Sequence, residues 1–184
     1  MSDLRYDPII NAVHKGITED IEFNQSHGRI RAMLLLMFSA IDAMAFLNMP
    51  TSQSDVKRTD FIEWTERYLK LVRPAQLTGA DLYGARCALL HTYSSESAMS
   101  RDGKCRQLMF VDPDPGSPVR ETKVPELILV GVSALKTDLF AGIDSFLVNL
   151  FASPEKSKFV ESRLKKLLIL RDDFPGGQLQ QMLK

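Results

Sequence analysis

IRAMLLLMFSAIDAMAFL, residues 30–47, is the stretch whose reading decides the fold. Its apolar residues go almost all the way round a helix, so the segment must be covered on several sides. A central core helix or a helix at an oligomer interface satisfies that demand. A membrane span is not expected, because Arg31, Ser39 and Asp42 interrupt the run and leave uninterrupted apolar pieces well short of about 18 residues. Ser39 and Asp42 are three apart and share a face. An unpaired buried carboxylate costs several kcal/mol, roughly enough to cancel much of a domain's net stability. Asp42 is therefore either a partly exposed edge residue or one end of a salt bridge, with Arg86 as the natural target.

The flanking segments repeat the helical period. Upstream, Asp7-Pro8 reads as a cap followed by proline at the first helical position. Ile9, Ile10, Val13 and Ile17 then recur at helical spacing, and Gly16 leaves open one bent helix or two short ones. His14 and His27 lie here without a partner motif and read as surface or core histidines. Downstream, a polar connector with Pro50 leads into RTDFIEWTERYLKLV, whose aromatic stripe of Phe61, Trp64 and Tyr68 has core spacing. Thr78-Gly79-Ala80-Asp81 is a variant capping box opening a helix that runs to about Thr92. Residues 133–151 form another wide apolar face, with Asp138 and Asp144 expected on the solvated side. Ser153-Pro154-Glu155 starts a last helix, where Lys156, Lys158, Arg163, Lys165 and Lys166 make the most basic patch in the chain. Residues 172–184, with Pro175-Gly176-Gly177, read as a tail that frays.

One region breaks the period. CRQLMFV at 105–111 and ELILVGV at 126–132 are runs of strand formers on either side of the loop DPDPGSP. They predict an inserted antiparallel β-hairpin over 105–132. The expected fold is thus mainly α, an up-and-down helical bundle of about five helices carrying that hairpin, in a single domain of residues 1–184.

Composition narrows the function. Lys+Arg and Asp+Glu are both 23, so bulk charge draws the chain to neither nucleic acid nor membrane, and any polyanion contact must come from a local patch. Cys87 and Cys105 are too few and too isolated for a disulfide framework, which points to a reducing, cytoplasmic setting. The opening MSDLRYDPII lacks the layout of a signal peptide. No Gly-rich phosphate loop, dinucleotide fingerprint or H-E-x-x-H is present, and three scattered histidines with two lone cysteines predict neither a metal site nor a cofactor.

What remains is GADLYGARCALLHTYSSES, residues 79–97, with Arg86 and His91. It is the one place where sequence alone holds a titratable acid/base group near a permanent cation. Five residues apart on a helix, the two are roughly 140° apart around its axis. A joint site therefore needs the helix to fray near His91, or a second copy to supply the missing group.

R-C-A-L-L-H resembles the R-x4–6-H signature of HEPN domains, placed near the C-terminal end of a bundle helix as it is there. The resemblance implies a helical bundle that dimerises, with the two motif copies forming a composite, metal-independent ribonuclease site. It carries catalytic roles onto Arg86 and His91 alone. A polar residue often follows the arginine in that family, whereas Cys87 follows it here. The wider segment 82–106 also resembles a group of uncharacterised bacterial proteins, which supplies no activity. The chemistry suits the residues, since cleavage through the 2′-hydroxyl needs a group that moves protons near neutral pH and a cation for the phosphoryl oxygens. Asp42 and Ser39 would support the pair; Tyr93, Ser94, Arg101 and Lys104 are close enough in sequence to hold backbone phosphates. The expected partners are a second copy of the chain and RNA. The competing expectation is a non-catalytic dimeric helical module that binds a protein partner or RNA. In it Arg86 would salt-bridge a packed interface and His91 would bond to a neighbouring carbonyl.

Overall fold

The computed structural model describes residues 7–72, 76–112 and 117–164. The protein is mainly helical, with a small mixed sheet. Asp7 caps the first element, its Oδ1 accepting from the backbone amides of Ile9 and Ile10 at 2.8 and 3.2 Å. Helix α1 (Pro8–Ile10) runs without a break through a π-helical segment (Asn11–Thr18) into α2 (Glu19–Ser26). The ambiguity around Gly16 thus resolves as one continuous helix with a widened middle. Gly28, at φ 65°, turns the chain into α3 (Ile30–Asn48).

Helix α3 is the centre of the packing, and α2, α4 (Arg58–Tyr68), α5 (Gly79–Thr92), α7 (Val132–Phe151) and α8 (Pro154–Leu164) all touch it, while α6 (Ala98–Arg101) is a single turn that follows α5. By length and composition it is apolar enough to cross a membrane, more so than the interrupted sequence implies. Half of that window is buried against the protein's own helices. Met33, Met37, Phe38, Ile41 and Met44 are essentially sealed, each such side chain contributing about 1.5–3 kcal/mol. The aromatic stripe of α4 is core: Phe61, Trp64 and Tyr68 are buried, and Tyr68 meets Phe146 of α7 edge-on with centroids 5.6 Å apart.

The expected antiparallel hairpin is corrected. The two strand-forming runs do pair, as β1 (Gln107–Val111) and β3 (Leu127–Gly131), but they run parallel. A three-residue strand, β2 (Val119–Glu121), lies antiparallel on the other side of β3, giving the order β1-β3-β2. Parallel pairing requires a crossover longer than a turn, and the segment joining β1 to β3 supplies it.

Two polar assignments on the helices are also corrected. Asp138 is buried rather than solvated, and its carboxylate accepts from the amides of Lys70 and Leu71 at 2.9 and 2.8 Å where the chain leaves α4. Arg163 leaves the expected basic patch altogether. It is 4% exposed, and donates to the carbonyls of Phe46, Met49 and Pro50 at 3.0, 2.5 and 2.6 Å, with Phe159 stacked 4.0 Å away. Burial lowers its pKa, with the charge of Asp60 opposing. A cation seated at the C-terminal end of α3 complements the negative end of the helix dipole. Lys156 and Lys158 remain exposed, whereas Lys165, Lys166 and the tail at 172–184 lie outside the described residues.

Candidate functional site

The site is organised by α5. At its start Thr78 Oγ1 accepts from the Asp81 amide and Asp81 returns the bond to the Thr78 amide, the capping box expected from the sequence. Asp81, 2% exposed, also takes the Arg106 amide at 2.7 Å and the Arg106 guanidinium at 2.7 and 3.2 Å, which ties α5 to the approach to β1. Burial raises this carboxyl, but the bonds from Arg106 and Thr78 outweigh it and hold the pKa below the ordinary value. Gly79 lets α5 lie against α4: a Cβ there would sit 2.8 Å from Thr65 Oγ1 and 2.9 Å from Ile62 Cγ2. With that crossing fixed, Leu82, Ala85, Ala88 and Leu89 turn inward. Tyr83, Cys87 and His91, spaced four apart, share another face.

Arg86 lies between these faces and is anchored. Its Nε donates to Asp42 Oδ2 at 2.9 Å and its Nη2 lies 2.8 Å from the same oxygen as an ion pair, joining α5 to α3. The two side chains are 23% and 26% exposed, so the pair is about a quarter open to solvent. Burial pushes the Asp42 carboxyl above its ordinary value, with Arg86 opposing only in part. At Arg86 burial works to lower the pKa; Asp42, helped by Cys87, more than offsets it and holds the guanidinium above its usual value. Asp42 takes one of the five guanidinium N–H donors as a hydrogen bond. Arg86, Asp42, Lys57, Arg58 and Tyr83 line a small cavity of about 230 Å³.

His91 belongs to a different cavity. It is exposed on the wall of an open cleft of about 960 Å³, together with Tyr83, Cys87, Arg58 and Arg101. Among the described residues no hydrogen bond or ion pair reaches its ring. The helix does not fray at His91, since α5 continues through Thr92. It ends at Tyr93, which adopts φ 56°, ψ 24° and swings the Ser94 amide back to the Ala88 carbonyl at 3.3 Å. One chain therefore does not bring Arg86 and His91 together.

The remaining predicted residues divide clearly. Ser39 is exposed on α3, and among the described residues no hydrogen bond links its side chain to Asp42 or Arg86. Ser94 holds its own turn, donating to the Glu96 carbonyl at 2.9 Å. Tyr93 stands 60% exposed between two residues that line the cleft. Arg101 pairs with Glu96 at 3.2 Å, and Lys104 with Asp102 at 2.9 Å, both on the surface. Such exposed pairs are worth little and part readily for a stronger anion.

Sequence reasoning missed Arg58 and Tyr83, which line both cavities. Tyr83 was legible from its spacing to Cys87 and His91. Arg58 was not, being the first residue of a different helix. Among the described residues no group of three or more His, Cys, Asp or Glu is placed to hold a metal ion. Comparison with protein-family models, with curated proteins and with solved structures gives no match.

Proposed function

We propose that the protein is a HEPN-like, metal-independent endoribonuclease whose site is completed by a second copy of the chain. The observation that carries this reading is the division of labour along α5. A solvent-open imidazole stands on one cavity, and a guanidinium pinned at one edge by Asp42 stands on the next. Two α5 helices facing each other across a two-fold would let each imidazole work opposite the other copy's guanidinium. His91 would take the proton of the attacking 2′-hydroxyl. The oxygen would bond to the adjacent phosphorus while the 5′ oxygen leaves and takes a proton from the imidazole of the second copy. The products are a 2′,3′-cyclic phosphate and a 5′-hydroxyl. Arg86 would hold the phosphoryl oxygens, a role whose loss costs about 3–4 kcal/mol in the transition state.

RNA incubated with the protein in chelator tests the reading. Cleavage is expected to survive chelation, to fall at least several hundredfold in His91→Ala and Arg86→Ala, and to vanish on a 2′-deoxy substrate. The solution mass should be twice that of the chain. Equal or absent cleavage in all three proteins would refute the enzyme. The Asp42–Arg86 pair specifically favours the second reading, a non-catalytic helical module that binds a partner or RNA, because that pair also serves as a tie between α3 and α5.

A further inference from the structure

We infer that Arg58 is the phosphate-holding residue of a single-stranded RNA groove running from the Arg86 cavity into the His91 cleft. The inference rests on the ribonuclease reading for its choice of polyanion, and on separate observations for its position. Arg58 and Tyr83 are shared by the two cavities, so they mark where one opens beside the other. Arg58 is exposed at the first position of α4, and its one side-chain hydrogen bond among the described residues is a loose 4.0 Å approach of Nη1 to Met99 Sδ. Among the described residues no carboxylate pairs with it. Arg86 is tied to Asp42 and Arg101 to Glu96, so Arg58 is the lining arginine whose charge is uncommitted.

The surroundings favour an anion. Arg58, Lys57, Arg86 and Arg101 stand against Asp42 and Glu96, an excess of positive charge in a chain whose overall formal charge is zero. They also favour a strand whose bases are free. The cleft wall carries Tyr83, Ala98 and Met99 beside the cations, an apolar and aromatic surface on which unpaired bases rest while the backbone follows the charge. A guanidinium forks onto phosphate oxygens as an ammonium does not, which suits a residue shared by both cavities.

The test is binding of a short fluorescent single-stranded RNA with 2′-O-methyl riboses, which this chemistry cannot cleave, followed by anisotropy in chelator at rising salt. Arg58→Gln is expected to weaken binding roughly tenfold and to lower the slope of log affinity against log salt by about one. Arg58→Lys should keep the slope and lose part of the affinity. Lys158→Gln, an exposed charge on α8, should change neither. Parent-like binding by Arg58→Gln, or an equal loss in Lys158→Gln, would overturn the inference. Loss of binding in Arg58→Gln alongside unchanged cleavage in His91→Ala would sink the ribonuclease reading and leave the groove standing. Parent-like binding by Arg58→Gln with cleavage abolished in His91→Ala would do the reverse.

Discussion

Helix α5 carries two carboxylate–guanidinium pairs, and they are built to opposite specifications. At its first turn Asp81 is sealed, and its oxygens take two backbone amides besides the fork of Arg106. Farther along, Asp42 meets Arg86 through a single oxygen, a quarter open to solvent, with no backbone donor among the described residues. The pKa directions follow the construction. Hydrogen bonds overcome burial at Asp81 and lower it, whereas burial wins at Asp42 and raises it. A carboxylate given every partner it can use is scaffold. One that is held by a single cation, beside a cavity, leaves that cation able to engage something else.

Mutagenesis can break this contrast. Asp81→Ala strands the Arg106 guanidinium and two amides, and should cost about 3–5 kcal/mol in urea unfolding. Arg86→Met should cost only about 1 kcal/mol, since the pair it breaks is partly solvated. Asp42→Asn should fall within about 1 kcal/mol of the parent in either direction, because it removes a carboxylate that burial disfavours. An Asp42→Asn loss as large as that of Asp81→Ala would erase the distinction.

Acid sharpens it further, with the smallest effect. The folded pKa of Asp81 lies below its unfolded value, so the unfolded chain binds the proton first. Its stabilisation is complete above about pH 4 and drains away as pH falls toward the folded pKa. Asp42 has the opposite sign: the folded form binds the proton first, so acidification favours the fold at that site. Thermal melts between about pH 5 and pH 3 should therefore show a loss that flattens in Asp81→Asn and steepens slightly in Asp42→Asn.

How much of this could be read from the chain depended on whether a signal was local. Helix starts were legible at Pro8, Gly79 and Pro154, because caps and proline act within a turn of themselves. The central helix was legible as 30–47 because nothing but burial suits so apolar a segment, and the structure ends it at Asn48. Strand direction was not, since CRQLMFV and ELILVGV look the same whether they pair parallel or antiparallel. The deciding element, Val119–Glu121, is three residues without pattern. The burials of Asp138 and Arg163 were hidden for a related reason. Each charge answers to backbone groups of a distant segment, and carbonyls and amides carry no letter in a sequence. At the candidate site Arg86 and His91 stood out by residue type and spacing, and Asp42 by its cost. Arg58 reaches the same place from 28 positions before Arg86.

Arg163 also imposes an order on assembly. Until α8 docks, the carbonyls of Phe46, Met49 and Pro50 have no guanidinium to receive them, and the most apolar of the described helices keeps an uncovered side. During synthesis, that side must wait about a hundred residues for its lid, an interval in which a nascent chain is prone to stick to others. The cation that closes the end of α3 thus acts as a completion latch, engaging only once the last of the described helices has been made.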